Sequence, residues 1–290
     1  MTRQLSFTLQ IGTRFDGGAP LIWSLIAEGV DGVVVPRPKH YRRLLADCAA
    51  QTPRTPIDAE KMDTMFGLQQ VEDTQDLRCV LRILELMQPR PYFCPAGDWF
   101  YDIGPRAAGY CAALAPAPVT FMISLCNPAH LLSQALASGD YPGMEVIAPD
   151  PFDLHWAVVL RALRESCPDA PIIAWSAEVA PMIWDRVIAA AVQREASFSK
   201  EVKLQAARSM MNEEGSARLA QYLDSHDGMP DDLRAQVISI FLKRFPHKDV
   251  VRPEIVLPGW DAASQSRMDQ HFADDVSEVA KIEGVTLISL

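Results

Sequence analysis

The chain has 290 residues, 49% of them hydrophobic and 22% charged, a composition that excludes intrinsic disorder and collagen-like structure. Against 37 acidic side chains stand 27 basic ones, and the resulting formal charge of −10 argues against nucleic acid or anionic lipid as the main partner. A small-molecule ligand or a protein partner remains. No apolar run reaches the roughly 20 residues of a membrane helix. The polar start Met1-Thr2-Arg3-Gln4 carries no secretory signal, so the expected location is the cytoplasm.

In Leu5–Ile11 the polar residues Ser6, Thr8 and Gln10 alternate with apolar ones, and the run ends in Gly12-Thr13-Arg14-Phe15-Asp16-Gly17-Gly18. That pattern predicts a strand followed by a turn. Pro20 can open a helix with Leu21, Ile22, Leu25 and Ile26 on one face, stopping near Gly29. Val33-Val34-Val35 reads as a buried strand, so the chain begins β-loop-α-β. Helices are expected over Tyr41–Ala50 and around Ala59–Gln70, and Arg78–Leu84 reads as a strand. Pro89–Pro105 holds four prolines and five aromatic residues, which predicts a packed surface loop that caps the sheet or forms a lid.

After a helix near Arg106–Leu114, Val119–Leu125 is the clearest buried strand, followed by the turn Cys126-Asn127-Pro128 and a helix through His130–Ala137. Pro151–Ser166 reads as a helix and Pro171–Trp175 as a strand. From Pro181 to about His247 the chain is predominantly helical, with a break at Ser225–Pro230. A helix near Ala262–Lys281 leads to a closing strand in Gly284–Leu290. Strands separated by helices imply an α/β fold, a mostly parallel sheet flanked by helices, with a helical C-terminal half. Residues 1–290 are expected to form one domain, with 181–283 packed on it as a largely helical portion.

The six cysteines lie far apart, without a CxxC pair or a histidine at ligand spacing, so no metal site is expected. They read as small buried hydrophobes. Arg37, Lys39, His40, Arg42 and Arg43 form a basic cluster that suits either a solvated helix start or a phosphate contact. A loop between the first strand and first helix of a parallel sheet is the usual phosphate cradle. Gly12–Gly18 occupies that place, though it lacks the Gly-Lys-Ser/Thr ending of the Walker form.

On these residues the chain resembles bacterial sulfotransferases of the P-loop superfamily, and in particular sulfotransferase-like proteins of marine alphaproteobacteria. The matching stretches are Ile11-Gly12-Thr13, Gly32–Pro36 with Tyr41–Leu45, Ser124–Ala129, Pro181–Trp184, Leu257–Trp260 and Gly284–Leu287. The resemblance implies sulfuryl transfer to a hydroxyl acceptor from 3′-phosphoadenosine 5′-phosphosulfate. It places the donor on Gly12, Thr13, Arg14, Gly17, Gly18 and Ser133.

Where the family has its phosphosulfate-binding Lys this chain has Phe15, and the following hydroxyl positions are Asp16, Gly18 and Ala19. The strand-end Arg of the 3′-phosphate site is Cys126. Arg14 could replace the missing cation or pair with Asp16. Glu85 and His130 are the candidate acid/base residues. The resemblance thus leaves two expectations: a transferase with an altered phosphate-binding loop, or a catalytically silent member that binds a ligand or a protein partner.

Overall fold

The structure is a computed structural model that describes residues 4–71, 76–87, 99–138, 150–247 and 257–290. Its centre is a six-stranded sheet: β1 Gln4–Ile11, β2 Val33–Val34, β3 Asp76–Ile83, β4 Val119–Leu125, β5 Ile172–Ser176 and β6 Val285–Ile288. The order is β2-β3-β1-β4-β5-β6, and every pairing is parallel. All seven residues of β4 are buried, as expected for a central strand covered on both faces.

The alternation in β1 sorts its residues between the two faces. Phe7, Leu9 and Ile11 join the larger core with Phe66, Phe121 and Ile123. Thr8 and Gln10 point the other way and are wholly buried, so each needs a partner. Thr8 Oγ1 donates to the Ala191 carbonyl at 2.9 Å, and Gln10 Nε2 donates to the Gly18 carbonyl.

Helices α1 Pro20–Glu28, α2 Pro38–Ala49, α3 Ala59–Phe66, α4 Ile103–Leu114, α5 Pro128–Ala137, α6 Trp156–Ser166 and α7 Ala180–Val192 interleave with the strands. The C-terminal half adds short α8 Lys200–Lys203 and α9 Gln205–Ser209, then α10 Glu213–Ser225, α11 Asp231–Arg244 and α12 Ala262–Val279. Leu21, Ile22 and Leu25 of α1 pack with α7 on one face of the sheet. Leu131, Leu132 and Ala135 of α5 pack into the core on the other. Neighbouring strands β1 and β4 therefore send their following helices to opposite faces, which opens a crevice at their carboxyl ends where ligands bind in open α/β sheets.

Four local expectations change. Val33-Val34-Val35, expected as a buried strand, contributes only the two-residue edge strand β2, and all three valines are half-buried. Helix α4 starts at Ile103, with Pro105 inside its first turn, where a missing N–H is tolerated. Pro151–Ser166 is not one helix: a single 3₁₀ turn, Pro151–Asp153, precedes α6, and His155 is extended. Trp99 and Phe100 are buried in the core rather than on a surface loop, and Phe100 stacks on Trp156 at 5.9 Å. The rest of the aromatic stretch, 89–98, lies outside the described residues.

Candidate functional site

Gly12 leaves β1 at φ +149°, and a Cβ there would come within 1.8 Å of Asp16 Oδ2. The loop winds tightly around that carboxylate. The Thr13 N–H donates to Asp16 Oδ2 at 2.7 Å and the Gly18 N–H to Oδ1 at 2.7 Å. Ser124 Oγ, at the end of β4, donates to the Asp16 carbonyl at 2.7 Å. From β3, the Arg82 guanidinium lies 3.8 Å from Asp16 Oδ1 and donates to the Thr13 carbonyl at 3.3 Å.

Two of the backbone N–H groups that such a loop offers to a phosphate, those of Thr13 and Gly18, are thus engaged by the chain's own anion. Asp16 is only 2% exposed. Burial pushes its carboxyl up to about 6, against the Arg82 charge and the Gly18 and Thr13 N–H groups, which all favour the carboxylate.

The β4–α5 turn closes over the loop from the other side. Cys126 Sγ donates to the Phe15 carbonyl at 3.9 Å, and the Cys126 carbonyl accepts from Trp156 Nε1–H at 2.9 Å. Asn127 Oδ1 caps α5 by accepting from the Ala129 N–H at 3.0 Å, while its Nδ2 donates to Asp269 Oδ1 at 2.9 Å. Burial pushes the Cys126 thiol up, and the negative charges of Asp16 and Glu178 add to the effect. A thiol held protonated in this way is a poor nucleophile.

Positions 15 and 126, which the resemblance assigns to the two phosphate-binding ends, are in contact with each other. Phe15 packs its ring against the core and presents no cation. Gly12, Thr13, Gly17 and Gly18 lie in the loop as expected. Arg14 is exposed, with its guanidinium 5.5 Å from the Phe15 ring centroid, whereas the cation 3.8 Å from Asp16 is Arg82.

Ser133 is buried on α5, and His130 lies in the first turn of the same helix. Glu85, just beyond β3, is bonded to Arg42, and its other carboxylate oxygen, Oε2, has no hydrogen-bond partner among the described residues. Arg42 is thereby drawn out of the basic cluster, and Arg37, Lys39, His40 and Arg43 remain exposed. His155 and His271 form an edge-on ring pair at 4.7 Å that their sequence context did not suggest.

Among the described residues no three potential ligands come together as a metal site, and no helix is long and apolar enough to cross a membrane. An open groove of about 700 Å³ lies elsewhere, between α7, α11 and Leu290, lined by Met182, Arg186, Arg234 and Ile240.

Sequence reasoning passed over Gln10, Arg82 and Ser124, although an arginine flanked by apolar residues near the end of a strand, as Arg82 is by Leu81 and Ile83, is a signal of a buried charge partner. In comparisons with known proteins the chain matches no family model, no curated protein and no solved structure.

Proposed function

We propose that this chain is a sulfotransferase-like protein that is silent toward the phosphosulfate donor and binds a small-molecule ligand or a protein partner. The observation that carries the reading is the Asp16 carboxylate seated on the Thr13 and Gly18 N–H groups. A donor phosphate would have to expel that carboxylate and take over both hydrogen bonds.

Hydrogen bonds to a charged group contribute about 1.5–3 kcal/mol each, so the displacement costs about 3–6 kcal/mol. That amounts to two to four orders of magnitude in affinity, before the missing Lys and Arg are counted. The alternative, an active sulfuryl transferase, requires an anion on the same loop.

Calorimetric titration with 3′-phosphoadenosine 5′-phosphate tests the reading. The wild-type chain is expected to give no binding heat at millimolar ligand. Asp16→Ala, which empties the N–H cradle while leaving Arg82 beside it, is expected to bind the nucleotide or inorganic phosphate measurably. Micromolar binding by the wild-type chain would restore the transferase.

A further inference from the structure

Cys111 on α4 and Cys167 at the end of α6 lie 56 positions apart in sequence, yet their sulfurs are 3.8 Å from one another. Both are free thiols, Cys111 partly exposed and Cys167 6% exposed. Two glycines fix their helices. A Cβ at Gly104 would come within 2.8 Å of the Ala162 carbonyl oxygen of α6, and one at Gly109 within 2.2 Å of the Ala49 carbonyl oxygen of α2. Helix α4 is therefore wedged between α2 and α6 at backbone contact distance. The thiol pair is held by packing rather than by a mobile loop.

We propose that Cys111 and Cys167 are a peroxide-reactive pair that closes to an intramolecular disulfide, stapling α4 to the end of α6. Closure to the ordinary S–S length needs about 1.8 Å of approach between the two sulfurs. The Cys167 thiolate attacks one oxygen of hydrogen peroxide: an S–O bond forms, the O–O bond breaks, and the departing hydroxide takes a proton to become water. Cys111 then attacks the resulting sulfenic sulfur. The S–S bond forms, the S–O bond breaks, and the second hydroxide leaves as water with the Cys111 proton. Two thiols and one peroxide give one disulfide and two waters.

The roles follow from the surroundings. Cys111 donates its S–H to Cys167, which draws the Cys167 thiol down, and the positive charge of Arg54 assists against desolvation. The same hydrogen bond and burial push the Cys111 thiol up, so it serves as the resolving thiol. Cys79 is an internal contrast: it is fully buried, and burial pushes its thiol up to about 12. The disulfide would enclose β4, the turn at Cys126 and α5, which touch the Gly12–Gly18 loop through Ser124 and Cys126.

The test treats the native full-length chain with stoichiometric hydrogen peroxide, followed by alkylation and peptide mass mapping. The expected product is a monomer with a cross-linked peptide pair joining 111 to 167 and a mass loss of about 2 Da. Its melting temperature should rise by about 5 °C and return on reduction with dithiothreitol. In Cys111→Ser, Cys167 should stop at the sulfenic or more oxidised acids. Persistence of both thiols in the folded wild-type chain, appearance of the link only in denaturant, or identical oxidation of Cys167 in wild type and Cys111→Ser each overturns the proposal.

Discussion

Two buried carboxylates in this chain each accept hydrogen bonds from two backbone N–H groups, but over very different spans. Asp16 reaches residues two and three positions away, Gly18 and Thr13. Asp275, on α12, reaches Trp156 and Ala157, 119 and 118 positions away, and so caps the N-terminus of α6. At α6 the carboxylate meets the positive end of a helix dipole that runs for 11 residues. At the loop, by contrast, the nearby positive charge is a side chain, Arg82, 3.8 Å away. The local carboxylate closes a potential binding element on itself, whereas the remote one ties two packed elements together. Removing the first should change what the chain binds; removing the second should change whether it stays folded.

The largest effect is therefore expected at Asp275. Asp275→Ala leaves the Trp156 and Ala157 N–H groups buried without their acceptor and releases α12 from α6. Loss of two charge-assisted hydrogen bonds predicts about 4 kcal/mol of destabilisation, read as a fall in the urea midpoint at unchanged slope. Asp16→Ala should lose less, because its N–H groups become open to water or anions and an expensive buried charge disappears. A reversed ranking in the same denaturation series would break the distinction between the two carboxylates.

The pH dependence sharpens it further. The folded-state value of Asp16, about 6, lies above its ordinary value of 3.8. Stability from this group is thus fully present below 3.8 and is lost as pH rises through about 6. The shift corresponds to about 3 kcal/mol. Relative to Asp16→Asn, which does not titrate, the wild-type chain should lose about that much stability between about pH 4 and about pH 7. A difference that stays flat across this window would show that the loop does not bury an ionisable carboxylate.

The parts of this arrangement that could be read from sequence are the local ones. The alternation in β1 and the unbroken apolar run of β4 each encode burial within a few residues. Asp16 was also recognisable as a carboxylate in a phosphate-binding place. That the loop would curl until this side chain satisfied its own N–H groups depended on Gly12 at φ +149° and on Ser124 arriving from β4. Arg82 had no local signature as the partner of Asp16, because register, not sequence proximity, aligns β3 with β1. Arg14, two positions from Asp16, was the natural sequence choice, yet it is exposed beside Phe15. The Cys111–Cys167 pair is illegible for the same reason: 56 positions separate two residues that only helix packing unites.

The smallest effect is expected where a neutral group does the capping. Asn127 solves the same problem of orphaned N–H groups at α5 with an amide, which carries no charge to desolvate. Asn127→Ala should cost about 1 kcal/mol for the lost cap, together with whatever its bond to Asp269 contributes. Asn127→Ser separates the two parts. Serine can still accept from the Ala129 N–H but is too short to replace the amide that reaches Asp269. If the cap dominates, the serine variant should recover most of the loss in urea unfolding, with no change between about pH 4 and about pH 7 beyond that of wild type. Failure of serine to recover it would place the energy in the tie from β4 to α12, making Asn127 a long-range fastener like Asp275 rather than a local cap.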